Sequence, residues 1–163
     1  MATATAIGRS GLDRLTRTLL LTSLLLALLH HTDHVLRVDH SGWPFTARVS
    51  PFTFSLLAYP MILFALFGPR SLYWLRWVLL AAGAGFTLYA HSAIESPAMQ
   101  YGMWADGRST DPALAHIHNL PGVESSVLGG IAVTVSMALN LVALAATLTM
   151  LRQGILLSRR GRG

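Results

Sequence analysis

The chain reads as an all-α, polytopic membrane protein built as a four-transmembrane-helix bundle. Three observations carry that reading. Of its 163 residues, 53% are hydrophobic and only 12% charged, with a mean hydropathy of +0.52, a balance that does not suit a soluble domain of this size. Its apolar residues gather into four stretches, each close to the ~20 residues that cross ~30 Å of hydrocarbon as a helix. Arginines flank those stretches on alternating sides, as expected for segments that pass back and forth through a bilayer.

The first stretch, Thr18 to Leu36, contains a leucine-rich core from Leu19 to Leu29 behind basic residues. A secretory signal has a similar core, but no A-x-A-like cleavage site follows it, so it reads as a retained helix. The second, Pro51 to Phe67, is the shortest and holds Pro60 after Tyr59, which predicts a kink there. The third runs from Leu72 to Ala90 and the fourth from Val127 to Leu151. Gly129 and Gly130 at the start of the fourth would let a neighbouring helix approach closely. Ser136, Asn140 and Thr147 would join helices by hydrogen bonds.

Orientation follows from the arginines. Arg9, Arg14 and Arg17 precede the first span, Arg70 and Arg76 lie at the second turn, and Arg152, Arg159, Arg160 and Arg162 follow the last. The positive-inside rule makes that side cytoplasmic, with both termini, and leaves Arg37, Arg48 and Arg108 outside. The outer set is net −3 and the inner set net +8. A bacterial cytoplasmic membrane is the expected location. Trp43, Tyr89, Tyr101 and Trp104 outside, with Tyr73, Trp74 and Trp77 inside, would form interfacial belts.

Two loops face outward. Val38 to Ser50 is compact, with Gly42 and Pro44. Ser92 to Ser126 is long enough to fold over the helix ends, and Asp111–Pro112 predicts a short helix from Pro112 to His118. The Arg159 to Gly163 tail reads as unstructured, and residues 1–163 as one integral membrane domain.

Composition also excludes chemistry. Without cysteine there are no disulfides, thiolate sites or iron–sulfur clusters. The arginines border apolar spans and form no patch with interleaved aromatics, so nucleic acid is not an expected partner. Phosphate-binding glycine loops, nucleophile elbows and H-E-x-x-H are absent from the sequence.

What remains is histidine. All seven, His30, His31, His34, His40, His91, His116 and His118, lie on the outer side with six of the seven carboxylates. Such groups are costly in hydrocarbon and are usually kept there for a task. In the first span His30, Asp33, His34 and Arg37 stand at i, i+3, i+4 and i+7, on one helical face. Ala27 and Ser23 continue that stripe inward with small residues suited to helix packing. In the third span Thr87, His91 and Glu95 follow at i, i+4 and i+8. Two such faces opposed give a shell of His30, His34, His91 and Glu95, to which His116 and His118 could add ligands from the loop. Such a donor set suits copper, zinc or iron. Met99 and Met103, four apart, would add thioethers for cuprous copper, or form an apolar patch with Tyr101 and Trp104.

The function expected is metal handling, or metal-dependent chemistry on a membrane-soluble substrate, with Asp33, Glu95 and Glu124 as candidate acids or bases. One alternative is electron transfer through a b-type haem, with axial ligands from His30 or His34 and His91. Another is an accessory subunit without catalysis, within a homo-oligomer or larger membrane complex. Transport is less well supported, because the inner halves of the spans carry few polar groups.

Overall fold

The computed structural model describes residues 11–37, 51–110, 112 and 115–160. Helix α1 spans Arg14–Arg37, α2 Pro51–Ser55 and α3 Ala58–Phe67. A 3₁₀ turn, Arg70–Leu72, leads into α4, Tyr73–Tyr89, and a π turn follows at Ala90–Ile94. Helix α5 is Pro97–Ala105 and α6 is Ser126–Arg160. The described residues form no strands, only one isolated bridge between Arg108 and His118.

Burial in this bundle is reversed relative to a soluble one. On α1 the buried positions include Thr16, Leu20, Ser23, Ala27, His30, His34 and Arg37, spaced alternately by four and three. Leu15, Leu21, Leu25, Leu28 and Leu29 on the same helix are exposed. The long α6 repeats the pattern, with Gly129, Ala132, Ser136 and Leu139 inside and Val127, Ile131, Leu141 and Leu144 outside. Alternating steps of three and four keep a narrow seam facing a partner. Small and polar residues in that seam, with aliphatic residues outside, are the arrangement of helices that pack within lipid.

Three helical stretches, Arg14–Arg37, Arg70–Ile94 and Ser126–Arg160, are long and apolar enough to cross a membrane. The second expected span is shorter, an apolar stretch of Phe52–Phe67, and it is broken. The break falls at Leu56–Leu57, before the expected kink at Pro60. Proline disturbs the turn that precedes it, where its ring meets the carbonyl four residues back. That carbonyl is Leu56 O, which accepts instead from Tyr59 N at 3.3 Å. Pro60 itself sits in the first turn of α3, where its missing N–H is harmless.

Both ends of the bundle are tied. The Asp13 carboxylate accepts from Thr16 N at 2.7 Å at the start of α1. Gln153 on α6 donates to Gly11 O at 2.7 Å and accepts from Asp13 N at 3.3 Å. Tyr73, expected in an interfacial belt, is buried and donates to Met150 O at 2.6 Å. The Arg76 guanidinium, also buried, bonds Ala65 O and closes the α3–α4 turn. Helix α6 continues to Arg160, so two residues assigned to the tail are helical.

The outer loop does carry a short helix, but earlier in the chain than expected. It is α5, opened by Ser96, whose hydroxyl accepts from Met99 N at 3.3 Å, and by Pro97 in the first turn. In the segment expected to be helical, Ala115 and His116 lie in a turn and His118 pairs with Arg108; Asp111, Ala113 and Leu114 lie outside the described residues. The first outer loop, Val38 to Ser50 with His40, also lies outside them. Gly129 admits α5 to α6, since a Cβ there would stand 2.8 Å from Tyr101 O. Gly130, expected to do the same, faces open space.

Candidate metal centre

The last two turns of α1 and the π turn after α4 bring four side chains together. His30, His34, His91 and Glu95 are all buried, and one ligand atom from each lies within 4.8 Å of every other. His30 Nε2 stands 3.0 Å from His34 Nε2 and 2.8 Å from His91 Nε2. His34 Nε2 is 3.3 Å from Glu95 Oε2. A tetrahedral ion with metal–nitrogen bonds of about 2.0–2.1 Å needs edges of about 3.3 Å between donors. The observed edges fall within about half an ångström of that.

Local structure explains the convergence. His30 and His34 are one turn apart on α1 and point along its buried seam. His91 and Glu95 are also four apart, but across the wider π turn, in which Glu95 N bonds Ala90 O, five residues back. A single π turn inside an α-helix often marks a functional position. Glu95 then closes the turn in an extended conformation and its carboxylate reaches the imidazoles.

Groups around the four hold them in place. His91 Nδ1 lies 3.2 Å from Asn140 Oδ1 on α6, which suits an Nδ1–H donor and turns the lone pair of Nε2 toward the common point. Glu95 Oε1 accepts from Arg37. Gln100 Nε2, from α5, lies 3.4 Å from Glu95 Oε2 and 3.2 Å from Ser136 Oγ. Arg37 Nε donates to Asp33 Oδ2 at 2.6 Å, and Asp33 Oδ1 accepts from Trp104 Nε1 at 2.7 Å. A buried carboxylate is tolerable only when paired in this way. His30 Nδ1 is buried without a hydrogen-bond partner among the described residues.

The remaining expected site residues lie elsewhere. Asp33 is beside the cluster, with both oxygens engaged by Arg37 and Trp104. His116, His118 and Glu124 are exposed and outside the four-residue group, and Glu124 rests against Gly107. Met99 and Met103 are on α5 and contribute nothing to it. Thr87 bonds its own helix at Gly83 O. His31 forms a separate group. Its Nε2 is 2.7 Å from Ser55 Oγ and its Nδ1 is 2.9 Å from both Tyr59 Oη and Ala27 O.

Sequence reasoning had placed Asn140 only as a helix-joining residue and gave Gln100 no role. Gln100 could have been found once Ser96–Pro97 was read as a helix start, since the first turn then presents it beside Glu95. Comparison with protein-family models, with curated proteins and with solved structures returns no match. The site therefore has to be interpreted from its own geometry. A buried group of three imidazoles and one carboxylate at these separations could hold a transition metal.

Proposed function

We propose that this is a small multi-pass protein of the bacterial cytoplasmic membrane that holds one transition-metal ion through His30, His34, His91 and Glu95. In this reading the ion is handled by the protein or used on a lipid-soluble substrate. The observation that carries it is the meeting of three Nε2 atoms and one carboxylate oxygen, from two separate elements, inside a bundle whose surface is aliphatic. Hydrogen-bonded or paired polar groups in hydrocarbon are conventionally functional, and here the pairing partners Arg37, Gln100 and Asn140 point the donors inward. The donors are nitrogen and oxygen only, which suits zinc, iron or cupric copper better than cuprous copper.

A bare ion fits this arrangement better than a b-type haem. Axial histidines must leave the width of a porphyrin plane between them. The His30 and His91 rings have centroids 4.4 Å apart, meet edge-on at 75°, and bring their Nε2 atoms to 2.8 Å. The topology proposed with this function has four segments in the membrane, both termini cytoplasmic and the metal near the outer face, supported by the arginine distribution.

Elemental analysis and an optical spectrum of protein purified from its membrane test the reading. One metal per chain without a Soret band is the expected result, with occupancy lost in His30→Ala and His91→Ala and kept in His116→Ala and His118→Ala. A Soret band, or metal content indifferent to His30 and His91, would overturn it.

A further inference from the structure

Beside the four donors, toward α3 and α4, lies a cavity with about 70 Å³ open to the centre of a water-sized sphere, room for roughly five waters. Its walls are nevertheless largely apolar: Ala27, Phe52, Ile62, Leu80, Ala84 and Leu139. A second space of about 300 Å³ by the same measure lies between α2–α3 and α4. The two share Ser55, Ala58, Met61, Gly83, Phe86 and Thr87, so they join into one passage. Its outer mouth is edged by Phe54 and Leu57, both exposed on the aliphatic surface. The break at Leu56–Leu57 helps to open it. So does Gly83, where an added Cβ would meet only Met61 Sδ, at 3.2 Å.

We infer that this passage is a binding site for a lipid-soluble quinone or its quinol, admitted sideways between α3 and α4 and held at its inner end by Ser55 and His31. The membrane placement of this site rests on the proposed function; the binding itself requires no metal. Three features select the ligand class. No arginine lines the passage, so a carboxylate or phosphate head group would be buried without a counter-charge. Phe52 and Phe86 offer ring faces to a flat head group, and Phe52 already packs at 4.5 Å from His34 and 5.2 Å from His31.

The third feature is the hydrogen-bond group at the inner end. Ser55 Oγ lies 2.6 Å from Phe52 O and 2.7 Å from His31 Nε2, while Tyr59 Oη lies 2.9 Å from His31 Nδ1 and 3.3 Å from Ala27 O. Two proton arrangements satisfy these distances. In one, Tyr59 donates to Nδ1, Nε2–H donates to Ser55, and Ser55 donates to Phe52 O. In the other, Nδ1–H and Tyr59 donate to Ala27 O and Ser55 donates to Nε2. A Ser–His–Tyr group that can exist in both arrangements can meet a head-group oxygen either as an acceptor or as a donor. A quinone carbonyl and a quinol hydroxyl require those two behaviours in turn.

Photolabelling of the full chain in mild detergent with an azidoquinone tests this. The expected labels fall on Phe54 to Phe86, are displaced by decylubiquinone and survive decanoate. Gly83→Leu should reduce labelling at least tenfold with metal content unchanged, whereas Gly83→Ala should keep it. Ala58→Leu narrows the same passage from α3 and should reproduce the loss if Gly83→Leu does not fold. Tyr59→Phe should weaken decylubiquinone competition severalfold. Labelling that persists in a folded, metal-replete Gly83→Leu or Ala58→Leu protein, or that decanoate displaces equally well, would overturn the inference. Loss of metal in His91→Ala with labelling intact separates the two sites.

Discussion

The indole N–H of Trp104 donates to Asp33 Oδ1 at 2.7 Å, joining α5 to α1 across the outer end of the bundle. Asp33 gives its other oxygen to Arg37, which in turn reaches Glu95. The outer helix is thus connected to a metal donor through three side chains. Trp104→Phe keeps most of the buried ring and leaves Asp33 Oδ1 without that donor. The expected cost is about 1–3 kcal/mol, read as a lower unfolding temperature in detergent. Metal affinity should fall by roughly 10–100-fold, the usual range for groups that orient ligands. Unchanged stability and affinity would mean that α5 does not support the centre.

Arg37 is fully buried between Asp33 and Glu95. Arg37→Ala leaves two carboxylates in a poorly solvated place without their cation, at a cost of about 3–5 kcal/mol. Arg37→Lys should recover only part, because an ammonium cannot present the planar fork that reaches both acids. Expression level and thermal stability in detergent would check this order.

The two adjacent glycines of α6 should respond oppositely to alanine. At Gly129 the new Cβ would meet the Tyr101 backbone oxygen at 2.8 Å and push α5 away. At Gly130 nothing lies within 4 Å, and the gain in helix propensity is up to ~1 kcal/mol. Gly129→Ala should therefore lower the unfolding temperature and weaken metal binding. Gly130→Ala should leave both unchanged or raise stability slightly. Equal effects would contradict the close approach of α5.

The parts that were legible in the sequence are those governed by periodicity. His30, His34 and Arg37 share a face because α1 is regular through them, and their burial follows from the same stripe as Ser23 and Ala27. His91 and Glu95 were expected four apart on an α-helix; they do meet His30 and His34, but on a π turn. No residue pattern in Ala90–Ile94 announces that turn, since it depends on packing. The helix at Pro97 had a local signal in Ser96, and Asp111–Pro112 was a stronger match to the same rule further on. Tyr73 looked like a belt residue because aromatic composition alone does not tell which side of a helix faces the core. The exposed positions of His116 and His118 are set by the Arg108 pairing, a tertiary contact between loop segments.

The π turn at Ala90–Ile94 is equivalent to one supernumerary residue in an otherwise regular helix. Ser92 and Ala93 lie on its exposed side. Removing either would let the helix wind tightly and swing everything beyond it by about 100°, a single residue's share of a 3.6-residue turn. Glu95 would then leave the imidazoles while every ligand remained encoded in the gene. A lineage could thus disarm or restore the centre by the loss or gain of one codon at a surface position, without touching a buried one.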